Sequence, residues 1–107
     1  MTGPEKQFEN RIKRYLDERG IWYVKFFANS FTVRGVPDIL ACVNGRFVAI
    51  EVKSATGRPT ALQVHTCHQI TDSGGIAVIV HPNSFGELCR VIDALMDGIE
   101  PDLSKIK

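Results

Sequence analysis

The chain has 107 residues, 44% of them apolar and 23% charged, and thirteen basic against twelve acidic residues leave a formal charge of +1. That is the profile of a soluble globular protein with a modest core, and no apolar run approaches the length of a membrane span. Near-neutral charge neither marks nor excludes a nucleic-acid binder, because a local patch outweighs the total. Cys42, Cys67 and Cys89 are odd in number and form no CxxC pair, which reads as free thiols in a cytoplasmic protein. A zinc site of Cys67 with His65 or His68 is the competing reading. The opening residues lack the basic region and apolar segment of a secretory signal.

In chain order, Thr2 or Gly3 can cap a first helix over about 4–19, with Pro4 at its first position and Glu5 in its first turn. Phe8, Ile12, Tyr15 and Leu16 recur at helical spacing, and Gly20 fits the residue just past the end. Ile21 to Phe27 is aromatic and β-branched and predicts a strand. Within it Lys25 is the odd polar residue, expected to meet DNA phosphate or an acidic side chain, or to protect a sheet edge. Residues 28–35 form a loop bordering a cleft. Its Asn29, Ser30, Thr32 and Arg34 are placed to touch a phosphate backbone, and Arg34 is preferred because a guanidinium matches phosphate geometry; Phe31 is expected to be buried. Strands over 38–43 and 46–53 follow, joined by Asn44-Gly45, a strong hairpin signal. Thr60 can cap a helix through about 72 that carries Leu62, Val64, Cys67, His68 and Ile70, a weak helix former by propensity. Ile76 to Val80 is an apolar strand, and a last helix over about 84–97 bears the stripe Phe85, Leu88, Val91, Ile92 and Leu95. Residues 99–107 form a tail, with Ile99, Leu103 and Ile106, that docks, frays or contacts a second copy.

The central hairpin carries the chemistry. Side chains alternate along a strand, so Val48, Ile50 and Val52 face a core while Ala49, Glu51 and Lys53 face the other way. Asp38 enters from the paired strand and comes beside Glu51. Two converging carboxylates are costly unless positive charge sits between them. Lys53 supplies some of it, and a divalent cation can supply the rest.

Pro37-Asp38, twelve intervening residues, then Glu51-Val52-Lys53 resemble the PD-(D/E)xK nuclease signature. With Arg34-Gly35-Val36 before it and Gly57-Arg58-Pro59-Thr60-Ala61-Leu62-Gln63 after it, the chain resembles the small VRR-NUC domains that stand alone in phage and bacterial genomes. The resemblance covers roughly residues 5 to 81. It implies an α/β fold with the restriction-endonuclease-like αβββαβ core, a mixed four-stranded sheet and an added C-terminal helix, all within one nuclease domain over 1–107. It also implies a metal-dependent DNA endonuclease, in the cytoplasm of a bacterial or phage-infected cell, that leaves 5′-phosphate and 3′-hydroxyl ends. Asp38, Glu51 and the Val52 carbonyl would hold Mg²⁺ or Mn²⁺, ions that hard oxygen ligands suit. Lys53 would orient the attacking water or balance transition-state charge. The same resemblance matches Glu9 of the first helix to a glutamate that joins the metal site, with Glu5 as the competing choice. It puts Gln63 beside the metal and makes Arg58 a phosphate contact. By analogy with small relatives, the expected substrate is branched DNA such as a four-way junction, cut by a homodimer. A nicking or flap repair nuclease and an inactive DNA-binding module of the same fold are the alternatives.

Overall fold

The computed structural model describes residues 3–29 and 33–106. Thr2, and the loop positions Ser30, Phe31 and Thr32, lie outside the described residues, as does Lys107 at the end of the tail.

Helix α1 spans Pro4–Glu18, with Gly3 as its N-cap and Pro at the first turn, where a missing N–H costs nothing. Strands β1 (Trp22–Lys25), β2 (Ile39–Val43) and β3 (Arg46–Val52) follow, then α2 (Ala61–Asp72), β4 (Ile76–Val80), a single 3₁₀ turn over Pro82–Ser84, and α3 (Phe85–Met96). The sheet order is β1-β2-β3-β4. The first three strands are antiparallel neighbours, and β4 joins β3 in parallel through the α2 crossover. This is the expected mixed four-stranded sheet with helices on both faces and an added C-terminal helix.

Asn44 and Gly45 both take positive φ, 49° and 83°, the geometry that makes Asn-Gly a tight hairpin turn. The Asn44 side chain also donates to the Leu95 carbonyl at 3.0 Å, tying the turn to the end of α3. Along β3 the alternation holds. Val48, Ile50 and Val52 join Phe8, Ile12 and Leu16 of α1 and Leu88, Val91 and Ile92 of α3 in the main core. Ala49 faces the opposite side, in a small cluster with Cys67 and Ala77 under α2. Each fully buried Val, Leu or Ile contributes about 1.5–3 kcal/mol, so the α1/α3 face supplies most of the stability.

Three expectations shift in detail. β1 stops at Lys25, where the ladder ends at its pairing with Ile39; one further amide, that of Phe26, reaches the Asp38 carbonyl, and Phe27 stands 71% exposed. In α2 only Cys67 is buried, and Leu62, His65 and His68 are exposed. That helix is specified at its start, not by an apolar stripe. The Thr60 hydroxyl accepts from the Gln63 N–H at 3.1 Å, while Gln63 Oε1 accepts from the Thr60 N–H at 2.9 Å, a capping box. In the tail, Ile106 is buried in the main core and Leu103 packs against it, whereas Ile99 is exposed.

Candidate active site

The β2–β3 register pairs Ile39 with Ile50, so one residue further out Asp38 stands opposite Glu51. Pro37 brings no amide hydrogen to extend the ladder. The Val52 N–H is taken by the Asp38 carboxylate, with Oδ2 accepting at 2.8 Å. On the other side of Asp38, its carbonyl accepts from the Phe26 N–H at 2.8 Å. Asp38 is thus fixed between β1 and β3 by both its backbone and its side chain.

Glu51 is 2% exposed. Its Oε2 lies 3.1 Å from the Lys53 ammonium. Its Oε1 is the one buried side-chain nitrogen or oxygen among the described residues that has no hydrogen-bond partner. Burial, followed by the negative charge of Asp38, pushes the Glu51 carboxyl up to about 7, against the pull of Lys53. A buried, unpartnered carboxylate oxygen beside a second carboxylate is a strong local demand for positive charge. A divalent cation fits that demand. Among the described residues no three His, Cys, Asp or Glu side chains gather as a cation cluster. The protein's side-chain share of a seat here is therefore two carboxylates, with backbone carbonyl and water left to complete a hard-oxygen shell.

Behind this pair lies a cluster of charge. Glu9 is 5% exposed. It meets the ammonium groups of Lys6 at 2.8 Å, Lys13 at 2.8 Å and Lys25 at 2.7 Å. Lys25 reaches on to Asp38 Oδ1 at 3.2 Å. Burial pushes the Glu9 carboxyl up, but Lys13, Lys25 and Lys6 together outweigh it and hold it at about 2. Lys25 is drawn above its ordinary range despite its own burial, chiefly by the hydrogen bond to Glu9 and the charge of Asp38. Of the three fates expected for Lys25, meeting acidic side chains is the one seen. Glu5, the rival of Glu9, is exposed on the first turn of α1, and its charge is felt at Glu51.

The structure therefore brings Asp38, Glu51, Val52, Lys53 and Lys25 together, with Glu9 joined through Lys25. Gln63 uses its carbonyl oxygen on the helix cap. Arg34 and Arg58 are exposed. Gly35, at φ +79°, sits against Leu62 and Thr66 of α2, where a Cβ would come within 2.8 Å of the Leu62 side chain; this seats the Arg34 loop on that helix. Two contributors were not singled out from the sequence. Lys13 completes the enclosure of Glu9, and helical i,i+4 spacing was the signal for it. His81, just past β4, makes a 2.8 Å hydrogen bond between its Nε2 and the Gly57 carbonyl and so ties down the loop that carries Arg58. No local pattern signals that contact.

The αβββαβ core, with a carboxylate opening one strand and Glu-x-Lys closing the next, defines the class of PD-(D/E)xK nucleases. Residues 3–77, well over half of the chain, match the family described as archaeal Holliday junction resolvase (Hjc). The chain belongs to that family and is a metal-dependent nuclease related to the Hjc resolvase. No curated protein matches it. Among the described residues no helix is long and apolar enough to cross a membrane.

Proposed function

We propose that this protein is a Mg²⁺- or Mn²⁺-dependent endonuclease that nicks branched DNA, with a four-way junction as its substrate, leaving 5′-phosphate and 3′-hydroxyl ends. The observation that carries the reading is the buried, unpartnered Oε1 of Glu51 beside Asp38. Asp38, Glu51 and the Val52 carbonyl are the ligands we assign to the ion. When bound, such an ion polarises the phosphodiester and lowers the pKa of a coordinated water. Lys53, 3.1 Å from Glu51, is placed to orient the attacking water and to balance charge on the phosphorane. The Val52–Asp38 hydrogen bond keeps the two carboxylates at a fixed spacing, so little rearrangement is needed at the moment of reaction. Arg34, Arg58 and basic residues of α1 supply phosphate contacts, and affinity for DNA accordingly falls as salt rises. Gln63, at the start of α2, is assigned a supporting place beside the seat.

The finer assignments are part of the same proposal. The Gly57-to-Gln63 run favours the VRR-NUC form of this nuclease fold, and residues 1–107 are read as one nuclease domain. This domain offers one cleft and little surface for reading bases. Two clefts in a twofold dimer can instead read the approximate symmetry of a junction.

The test offers purified protein matched four-way junction, flap, single-stranded and linear duplex DNA with Mg²⁺ or Mn²⁺, alongside a solution mass measurement. Paired nicks on the junction, weak cutting elsewhere and a mass of two chains are the expected result. Preference for the flap would move the assignment to a repair nuclease. A monomer that cuts linear duplex as fast as the junction overturns the substrate assignment.

A further inference from the structure

Glu9 lies where a third metal-binding carboxylate is expected, but its surroundings suit ammonium groups and not a divalent ion. Its Oε1 faces Lys25, and its Oε2 faces Lys6 and Lys13, all within 2.8 Å. Three ammonium groups around one carboxylate leave the cluster net positive, and a cation gains nothing by approaching it. The polarity reverses one residue further on. The Lys25 ammonium, only 19% exposed, bridges to Asp38 Oδ1, whose partner oxygen is held by the Val52 N–H. The backbones of the two residues are locked as well, since the next amide after Lys25 donates to the Asp38 carbonyl. Lys25 therefore connects α1 to the proposed metal seat.

We propose that α1 acts on the metal seat through Lys25: Glu9 anchors the Lys25 ammonium against Asp38, sets the orientation of that carboxylate, and stays outside the ion's ligand set. The inference rests on the seat assigned above to Asp38 and Glu51. Lys25 is then a positioning residue. It holds Asp38 in place for catalysis, and its positive charge beside Asp38 weakens metal binding. Removing the ammonium should tighten the metal and slow the reaction, and the Glu9→Gln change measured with and without Lys25 then separates anchoring from ligation.

The experiment measures Mn²⁺ affinity by titration calorimetry on the full chain without DNA, and kcat on a junction in parallel. The proteins are wild type, Lys25→Met, Lys25→Arg, Glu9→Gln, the Glu9→Gln/Lys25→Met double variant, and Asp38→Asn. Lys25→Met is expected to bind Mn²⁺ about threefold or more tighter with a lower kcat, and Lys25→Arg to recover part of that kcat. Glu9→Gln should weaken Mn²⁺ about fivefold in the native background and by less than about twofold once Lys25 is gone, since coupled residues show non-additive effects. A loss of about tenfold from Glu9→Gln in both backgrounds makes Glu9 a ligand and overturns the inference. If Glu9→Gln does not fold, Lys25→Met alone decides, because weaker Mn²⁺ binding in that variant is equally fatal. Unchanged affinity in Asp38→Asn would instead remove the seat itself, a failure separable from the others.

Discussion

Glu9 and Glu51 are both withdrawn from solvent, at 5% and 2% exposure, yet their surroundings have opposite sign. Glu9 meets three ammonium groups and is held at about 2. Glu51 meets one ammonium and one carboxylate, keeps an oxygen without a partner, and is pushed to about 7. Burial alone raises both carboxyls; the neighbours decide which is settled and which is left needing charge. The lesson is that burial alone does not set a carboxylate's demand for positive charge: the groups it faces do, and they satisfy Glu9 while leaving Glu51 incompletely satisfied.

The largest expected effect lies on the incomplete side. Glu51→Gln should lower kcat on DNA on the order of 10³-fold, because several kcal/mol of metal-assisted stabilisation disappear at about 1.4 kcal/mol per tenfold. Wild-type turnover in that variant would break the contrast between the two glutamates.

Stability should respond in opposite directions. Glu51 titrates near 7 in the fold against an ordinary 4.5. The folded state therefore binds more protons across that window, and stability is greatest below 4.5 and lost as pH rises through about 7. Glu9 titrates near 2 against 4.5. Its contribution is present above 4.5 and lost as pH falls through about 2. Each shift corresponds to about 3 kcal/mol by linkage. Chemical denaturation in chelator at pH 8 should show Glu51→Gln about 2–3 kcal/mol more stable than wild type and Glu9→Gln less stable by a similar amount. At pH 4 the gain from Glu51→Gln should vanish. Two variants that move the same way at pH 8 would show that burial, not neighbouring charge, governs both sites.

The smallest effect sharpens the cause. Asp38 is the second contributor, after burial, to the raised Glu51 carboxyl. Asp38→Asn should bring the Glu51 titration, followed by side-chain carboxyl NMR, down toward 4.5. A curve that stays near 7 would assign the whole shift to desolvation.

Much of this was legible before any coordinates. Asn44-Gly45 fixes the hairpin because both residues must take positive φ. Once the turn is fixed, counting back along two antiparallel strands puts Asp38 opposite Glu51. The end of β1 was less legible, because a strand stops where its partner stops, and nothing in Phe26-Phe27 announces that. The surroundings of Glu9 were half legible. Lys6 and Lys13 follow from helical spacing at i−3 and i+4, but Lys25 arrives from another element, and its contact depends on how α1 lies on the sheet. The start of α2 was visible in Thr60, while the part Gln63 plays in the capping box was not read, and of the helix's partly apolar surface Leu62 and His68 are exposed.

The order of the strands along the chain has its own consequence. The hairpin that sets Asp38 against Glu51 is local, whereas β4, which pairs beside Glu51 and accepts the Lys53 N–H at the Val80 carbonyl, comes only after the whole of α2. During synthesis the N-terminal part of a chain emerges first. A ribosome making this protein therefore exposes the hairpin with its paired carboxylates to the ions of the surrounding fluid before it has released the strand that closes over one of them.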